Sequence, residues 1–330
     1  MEKRDIVIIG AGPAGLSVAM FTQPDGWSTL VLEQSWTGGQ GAIAYTVANY
    51  PGFQPGDGAV LTGNIKNQVT ASPPSGVGAE LRQEKVISFN AQNKIVTTDV
   101  NQYQAQAVII ATGSTMQRLG VSGEEKFVGR GVSYYARRDL EQFNGKKVLV
   151  VGGGNTTAKS ALLAKTVASE VILIHRRDSL RAYPLMTKRL LKEEIRLQFS
   201  TEIKEIKGRD RVEKAVIVNS ESGKEEEVAV DWIIICVGTE VDIGLARDAG
   251  IEIAGGFVKV NHQMMTSQPG VFACGEITGG ERHLITAAAQ GASAGMAASE
   301  YLAMEMVKSG ETFAGAKNGK YADEYLTMLK

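Results

Sequence analysis

Asp5-Ile6-Val7-Ile8-Ile9-Gly10-Ala11-Gly12-Pro13-Ala14-Gly15 is the stretch on which the fold turns. Asp5 to Ile9 is a short, nearly continuous apolar run that stops at a glycine, which suits a strand buried on both faces. A helix continues through Ser17 to Phe21, and Pro24-Asp25-Gly26 closes it with a turn signal. Ser28 to Glu33 then reads as a second strand. Strand, glycine turn, helix and strand make a βαβ element.

The same pattern returns in mid-chain. Lys147 to Val151 is an apolar strand, Gly152-Gly153-Gly154 follows it, a helix runs from about Thr156 to Thr166, and Val171 to Ile174 is the next strand. Two such units predict two nucleotide-binding folds in one chain. Apolar runs at Ala107 to Ala111 and Trp232 to Cys236 each end near a glycine, Gly113 and Gly238, and read as crossings between domains. The expected fold class is α/β, with two Rossmann-like dinucleotide-binding domains of three-layer ββα type. One domain comprises 1–116 and 246–330, with the second, 117–245, inserted in it. Thr286 to Val307 reads as a small-residue helix packed against a sheet, and Ser309 to Lys330 as a tail.

Composition agrees with this. The 330 residues correspond to roughly two domains. Thirty-eight glycines are about 11.5% of the chain against a usual ~7%, without a collagen-like period, so they belong where backbone turns tightly or meets a ligand. Lys+Arg 35 against Asp+Glu 36 gives a net charge of −1, which excludes a general nucleic-acid binder. Two cysteines exclude a disulfide-stapled scaffold and a four-cysteine metal site. No stretch reaches the ~20 apolar residues of a membrane span, and no secretory signal pattern opens the chain. The expectation is a soluble, cytoplasmic protein.

Gly10-x-Gly12-x-x-Gly15 lies between strand and helix. The first glycine serves the turn, the second lets a pyrophosphate approach, and the third allows helix and strand to pack closely. The pyrophosphate then meets free amides at the helix N-terminus. Glu33, eighteen residues after Gly15, ends the next strand, where a carboxylate accepts from ribose hydroxyls. The second turn, Gly152-x-Gly154-x-x-Thr157, has threonine third, which predicts looser helix–sheet packing. In the register of Glu33 stands His175, followed by Arg176, Arg177 and Arg181. An acid there holds a bare ribose hydroxyl, whereas a cationic cluster suits a 2′-phosphate, so NADPH is the predicted second nucleotide. One acidic and one basic site imply hydride transfer from NADPH to a second nucleotide, for which FAD is the natural occupant.

With these residues in place the chain resembles the low-molecular-weight thioredoxin reductase group of pyridine-nucleotide flavin oxidoreductases. Further matches are Gly38-Gly39-Gln40, Asn49-Tyr50-Pro51-Gly52-Phe53, Ala111-Thr112-Gly113, Ser122-Gly123-Glu124-Glu125, Gly131-Val132-Ser133-Tyr134, His175-Arg176-Arg177-Asp178 and Gly270 to Glu276. Arg282 and Thr286-Ala287-Ala288 complete them. The resemblance implies an FAD site drawn from Gly10, Gly12, Pro13, Ala14, Gly15, Glu33, Gln34, Gly39, Gln40, Asn49, Val86, Ala111, Thr112 and Gly113. Its far side would come from Gly275, Glu276 (the family usually has Asp), Arg282, His283, Leu284 and Thr286. It implies an NADPH site of Gly152, Gly154, Asn155, Thr156, His175, Arg176, Arg177 and Arg181, and a homodimer. The helix at Thr286 would aim its positive end at the flavin, favouring the reduced anion.

The chain departs from that family where it matters chemically. After Gly-Val-Ser-Tyr the family carries Cys-x-x-Cys-Asp, the redox disulfide. Here the stretch is Tyr135-Ala136-Arg137-Arg138-Asp139. Thiol–disulfide exchange needs a thiolate and a disulfide, which neither Tyr135 nor Arg138 supplies. Cys236 and Cys274 are not a Cys-x-x-Cys pair and read as small buried hydrophobes. Lys159-Ser160 also replaces an acidic pair of the family. Relatives without the disulfide resemble thioredoxin-reductase-type ferredoxin–NADP⁺ reductases, and Asp139-Leu140-x-x-Phe143-x-Gly145 is similar to theirs. Such relatives cover the flavin with a tail aromatic, for which Phe313, Tyr321 and Tyr325 are candidates, as is Tyr135. Candidates for a part in the chemistry are Tyr135, Arg138, Asp139 and His283.

Three functions follow in order of expectation. The first is an NADPH–FAD oxidoreductase passing electrons to ferredoxin, flavodoxin or a small acceptor. Arg137 and Arg138 would suit an acidic carrier, since complementary charge speeds encounter. The second is a disulfide reductase acting on external, thioredoxin-like or partner cysteines. The third is a non-catalytic flavoprotein or redox sensor.

Overall fold

In a computed structural model, residues 1–71 and 78–309 are described. The tail aromatics Phe313, Tyr321 and Tyr325 lie outside the described residues. β1 (Glu2–Ile9) is fully covered from Ile6 to Ile9, as its apolar run requires. α1 (Pro13–Thr22) opens on a proline, whose fixed φ suits the first turn, and β2 (Thr29–Glu33) follows. After them come α2 (Gly39–Ala42), α3 (Gly58–Thr70), β3 (Glu80–Gln83), β4 (Val86–Asn90), β5 (Ile95–Thr98) and β6 (Gln102–Ile110). The chain crosses over through β7 (Ser114–Met116).

A second α/β unit then forms from β8 (Val132–Ser133), β9 (Lys147–Val151), α4 (Asn155–Lys165), β10 (Glu170–Ile174), α5 (Pro184–Lys192) and β11 (Arg196–Gln198). The antiparallel strands β12 (Thr201–Lys207), β13 (Lys214–Asn219) and β14 (Glu225–Ala229) follow, and β15 (Trp232–Ile235) completes it. β16 (Thr239–Val241) returns the chain to the first unit. There it adds α6 (Gly244–Asp248), β17 (Ile253–Ala254), β18 (Phe257–Val258), β19 (Val271–Ala273) and α7 (Leu284–Ser309). One compact unit is Met1–Ser114 with the segment from Val241, and the other is Thr115–Glu240.

In the first unit the sheet order is β3-β2-β1-β6-β5-β4, with β19 also on β6. Ile6 of β1 lies opposite Thr29 on one side and Ala107 on the other, both in parallel register. One face packs against α1 and α7. A Cβ on Gly291 would lie 2.1 Å from the Ala14 carbonyl oxygen and one on Gly295 2.9 Å from that of Val18, so α7 needs its small residues to approach α1. The opposite face buries Phe89, Val96 and Tyr103. In the second unit β11-β10-β9-β15-β8 is parallel throughout, with Leu149 opposite both Ile172 and Ile233.

The structure corrects one packing expectation. Thr157, third in the second glycine turn, does not loosen α4. It is fully buried, and its Oγ1 accepts from Gly154 N–H at 3.3 Å and donates to the Cys236 carbonyl at 3.1 Å. A small hydroxyl thus joins the helix to the end of β15, where a glycine could only touch it. No helix among the described residues is long and apolar enough to cross a membrane.

Candidate nucleotide and redox sites

The first glycine turn is shaped by what its neighbours leave room for. Gly10 has φ +109°, and a Cβ there would lie 2.3 Å from the Ala111 carbonyl oxygen. One on Gly15 would lie 1.9 Å from the Gly10 carbonyl oxygen, so the turn and α1 touch. At Gly12 a Cβ would meet nothing within 4 Å. The helix begins there with no side-chain cap and no acidic residue in its first turn, so its amides stay available. An open approach to unpaired N–H groups suits a pyrophosphate.

Further segments gather around this turn. Gly38 N–H donates to the Ala11 carbonyl at 2.7 Å, bringing Gly38-Gly39 against Gly12. Glu33 ends β2 with Oε2 accepting from Ala11 N–H at 2.9 Å and Oε1 from Ser35 N–H at 2.8 Å. Its carboxylate is therefore held in place and keeps lone pairs for hydroxyl donors. Gln40 Nε2 donates to the Ser114 carbonyl at 3.1 Å, and the Ser114 hydroxyl donates to Glu276 Oε2. Gly275 sits beside Ala14 and donates its N–H to Gln290 Oε1 of α7 at 2.8 Å. Thr112 Oγ1 donates to the Asp242 carbonyl at 2.8 Å, fixing Ala111-Thr112-Gly113 at the end of β6. Leu284 at the start of α7 packs over Gly41, which holds that helix end by the Gly39-Gln40 turn.

Other expected residues lie at the margins. Gln34 and Asn49 are exposed, and Val86 is a partly buried member of the opposite sheet face. Arg282 and His283 are exposed just before α7. Thr286 Oγ1 donates to backbone carbonyls, Glu281 at 2.7 Å and His283 at 2.8 Å, and so shapes the entry to that helix.

The second turn repeats the first. A Cβ on Gly152 would lie 2.2 Å from the Cys236 carbonyl oxygen, while one on Gly154 meets nothing within 4 Å. α4 likewise begins without an acidic residue in its first turn. Asn155 Oδ1 accepts from Tyr183 N–H at 2.8 Å, and Thr156 is exposed. A cleft of about 340 Å³ opens here, lined by Gly152, Gly153, His175, Arg176 and Arg181 on one side and by Gln117 to Leu119, Val121 and Thr201 to Ile203 on the other. Arg177 is exposed beside them.

His175 lies at the floor of this cleft. It is 5% exposed, and a Cβ on Gly153 would strike its ring at 2.3 Å. Its Nε2 is buried without a hydrogen-bond partner. Burial, followed by Arg181, Arg177 and Arg176, holds its pKa below the ordinary histidine value, so the ring is neutral at pH 7. The fixed positive charge of the cleft therefore belongs to the arginines. Open arginines suit a phosphorylated ribose.

In place of a cysteine pair, Tyr135 and Arg138 form a compact polar loop. Ser133 Oγ donates to Asp139 Oδ2 at 2.6 Å and accepts from Tyr135 N–H at 3.0 Å. The Arg138 guanidinium lies 5.0 Å from the centre of the Tyr135 ring, and its Nε and Nη2 donate to Asp139 at 3.1 Å each. Asp139 is buried and serves as the anchor of this loop. Both cysteines are free, Cys274 belonging to the first unit and Cys236 to the second. Burial pushes the Cys274 thiol up to about 12 and the Cys236 thiol, which donates to Ser160 Oγ, up to about 11.

Ser114, Gln290 and the Gln117–Val121 wall escape sequence reasoning, because single polar residues and loop walls carry no periodic or spacing signal.

Comparison with known proteins gives a consistent pattern. The family described as "Pyridine nucleotide-disulphide oxidoreductase" matches residues 4–292. Thioredoxin reductase of Treponema pallidum is 34% identical over 303 residues, covering 90% of this chain and 97% of the relative. A "34.2 kDa protein in rubredoxin operon" of Clostridium pasteurianum is 33% identical over 307 residues, covering 91% and 98%. Among solved structures, Lactococcus lactis thioredoxin reductase aligns with a TM-score of 0.80 at 33% identity, covering 91% of this chain and 99% of that one.

Proposed function

The chain belongs to the pyridine nucleotide-disulphide oxidoreductase family, and from that premise we propose that it moves electrons from NADPH through FAD to an external acceptor without a redox disulfide of its own. It is a thioredoxin reductase-like flavoprotein oxidoreductase using FAD and NADPH. Bound flavin accepts a hydride and releases electrons singly or in pairs.

The protein's own part is to hold and orient. In this reading the amides of Gly12, Ala14 and Gly15 bind the FAD pyrophosphate, and Glu33 accepts from the ribose hydroxyls. The Gln40–Ser114–Glu276 chain keeps three loops in fixed register around the remainder. In the second cleft, Gly154 and the α4 amides take the NADPH pyrophosphate, while Arg176, Arg177 and Arg181 take the 2′-phosphate. Neutral His175 supports Gly153 from beneath.

One observation carries the claim of disulfide-free transfer. The Tyr135–Asp139 loop holds a cation–π pair and a buried carboxylate, and neither remaining thiol is positioned or ionised for exchange. Ferredoxin, flavodoxin or a small molecule is the proposed acceptor. The Clostridium pasteurianum relative, named for a rubredoxin operon, supports a one-electron protein carrier. Relatives named thioredoxin reductase favour a second reading, reduction of an external disulfide by the flavin itself. A homodimer is the proposed assembly.

Anaerobic reductive titration tests the scheme. Full bleaching of the flavin by a single NADPH per FAD is the expected endpoint, because in this reading the two free thiols, Cys236 and Cys274, take up no electrons. Uptake of two NADPH per FAD, or no bleaching in stopped flow, defeats it. Acceptor screening with ferredoxin, flavodoxin, thioredoxin and quinones then separates the two readings.

A further inference from the structure

The wall of the second cleft opposite the glycine turn has no secondary structure of its own. Gln117, Arg118, Leu119 and Val121 line it from a loop. Such a loop needs an anchor if its side chains are to hold one position. Glu124 is only 3% exposed and provides it. Its Oε1 accepts from Leu119 N–H at 3.0 Å, and its Oε2 accepts from Gly120 N–H at 2.7 Å and Val121 N–H at 3.4 Å. Tyr134 adds its hydroxyl to Oε1 at 2.6 Å.

The turn is pressed against the cleft's other loop-side strand as well. Ile206 N–H of β12 donates to the Ser122 carbonyl at 2.9 Å, and a Cβ on Gly123 would lie 2.1 Å from the Ile206 carbonyl oxygen. Arg118 pairs with Glu125 at 3.1 Å. All the groups facing the Glu124 carboxylate are thus donors from the wall or from Tyr134, the residue just before the Tyr135–Asp139 loop.

We propose that Glu124 is a positioning residue of the NADPH cleft, its buried carboxylate fixing the Gln117–Val121 wall and tying that wall to Tyr134. The inference rests on NADPH occupying this cleft. A carboxylate collects several N–H donors at once because each oxygen has two lone pairs, and bonds to a charged acceptor are stronger than neutral ones. An amide cannot replace it, since its NH₂ end would face N–H groups.

The test uses the FAD-loaded full chain and the variants Glu124→Gln, Tyr134→Phe and the double substitution. NADP⁺ dissociation constants, and KM and kcat for NADPH with ferricyanide, are measured beside thermal stability. Glu124→Gln is expected to raise Kd and KM about tenfold, the size of one charge-assisted hydrogen bond. Tyr134→Phe is expected to raise them roughly threefold with the same sign. In both, kcat stays within about a factor of two, since the hydride-transfer geometry is unaltered. The double variant should match Glu124→Gln, because both remove one shared contact. Unchanged Kd and KM with a lower melting temperature would mean a merely structural carboxylate and overturn the proposal. So would a fall in kcat at constant KM. If Glu124→Gln does not fold, Tyr134→Phe decides alone. Wild-type protein that binds no NADP⁺ removes the reading of the cleft itself, and the role of Glu124 with it.

Discussion

The Thr157 hydroxyl donates to the carbonyl of Cys236 at 3.1 Å, joining the first turn of α4 to the end of β15. Thr157→Val keeps the shape and removes the donor, leaving a buried carbonyl and Gly154 N–H without that partner. The expected cost is about 1–3 kcal/mol of stability in urea unfolding. Thr157→Ser, which keeps the hydroxyl, is expected to recover most of it. Equal stability of Val and wild type would show that the bond contributes nothing.

The two glycines of each turn predict opposite phenotypes. Gly10→Ala meets the Ala111 carbonyl and an unfavourable φ, so it is expected to destabilise the first unit by about 1–3 kcal/mol. Gly12→Ala meets open space and is expected to fold normally yet lose most of its FAD, read from the ratio of flavin to protein absorbance. Gly154→Ala is expected to keep FAD and weaken NADP⁺ binding. A Gly12→Ala protein that retains full flavin would remove the pyrophosphate from this turn.

The thiols give a third prediction. With Cys236 raised to about 11 and Cys274 to about 12, only about one thiol in ten thousand or fewer is ionised at pH 7. Native protein is expected to react slowly with iodoacetamide, and both thiols to react quickly once unfolded. The double variant Cys236→Ser, Cys274→Ser is expected to bleach with NADPH at the wild-type rate. A large slowing of that step would bring sulfur back into the chemistry.

Acid sensitivity follows from Glu84. Burial pushes its pKa up, but hydrogen bonds from Thr98, Tyr103 and Asn101 outweigh that and hold it below the ordinary 4.5. A lowered folded pKa contributes stability that is present above the unfolded value and lost as pH falls through the folded one. Stability is therefore expected to decline below pH 4.5. Tyr103→Phe removes a 2.8 Å bond to Glu84 and is expected to cost about 1 kcal/mol at neutral pH and to make the decline below pH 4.5 shallower, because the folded pKa moves back toward the unfolded value, measured by urea unfolding at stepped pH. An equally steep acid decline in that variant would separate Glu84 from it.

Much of this architecture is legible in the chain because it rests on patterns with a strict period or spacing. Ile6 to Ile9 and Val148 to Val151 are continuous apolar strands, and the glycines after them stand where only glycine fits. Strand β14 escapes notice because its polar run Glu225-Glu226-Glu227 lacks an apolar period. Thr157 misleads for a related reason. Its spacing invites comparison with a glycine, whereas its hydroxyl acts through a carbonyl 79 residues away in sequence. The Gln40–Ser114–Glu276 chain is equally silent, since three distant polar residues meet only after folding.

Glu33 touches the middle residue of the first glycine turn through Ala11 N–H, and His175 presses on the middle residue of the second, Gly153. The two halves thus use one address in two spellings, as copies of a duplicated ancestor do once their duties diverge. An address with that freedom invites rewriting. A breeder of new coenzyme preferences would begin by editing the letters at 175 to 177, leaving the surrounding grammar of glycines untouched.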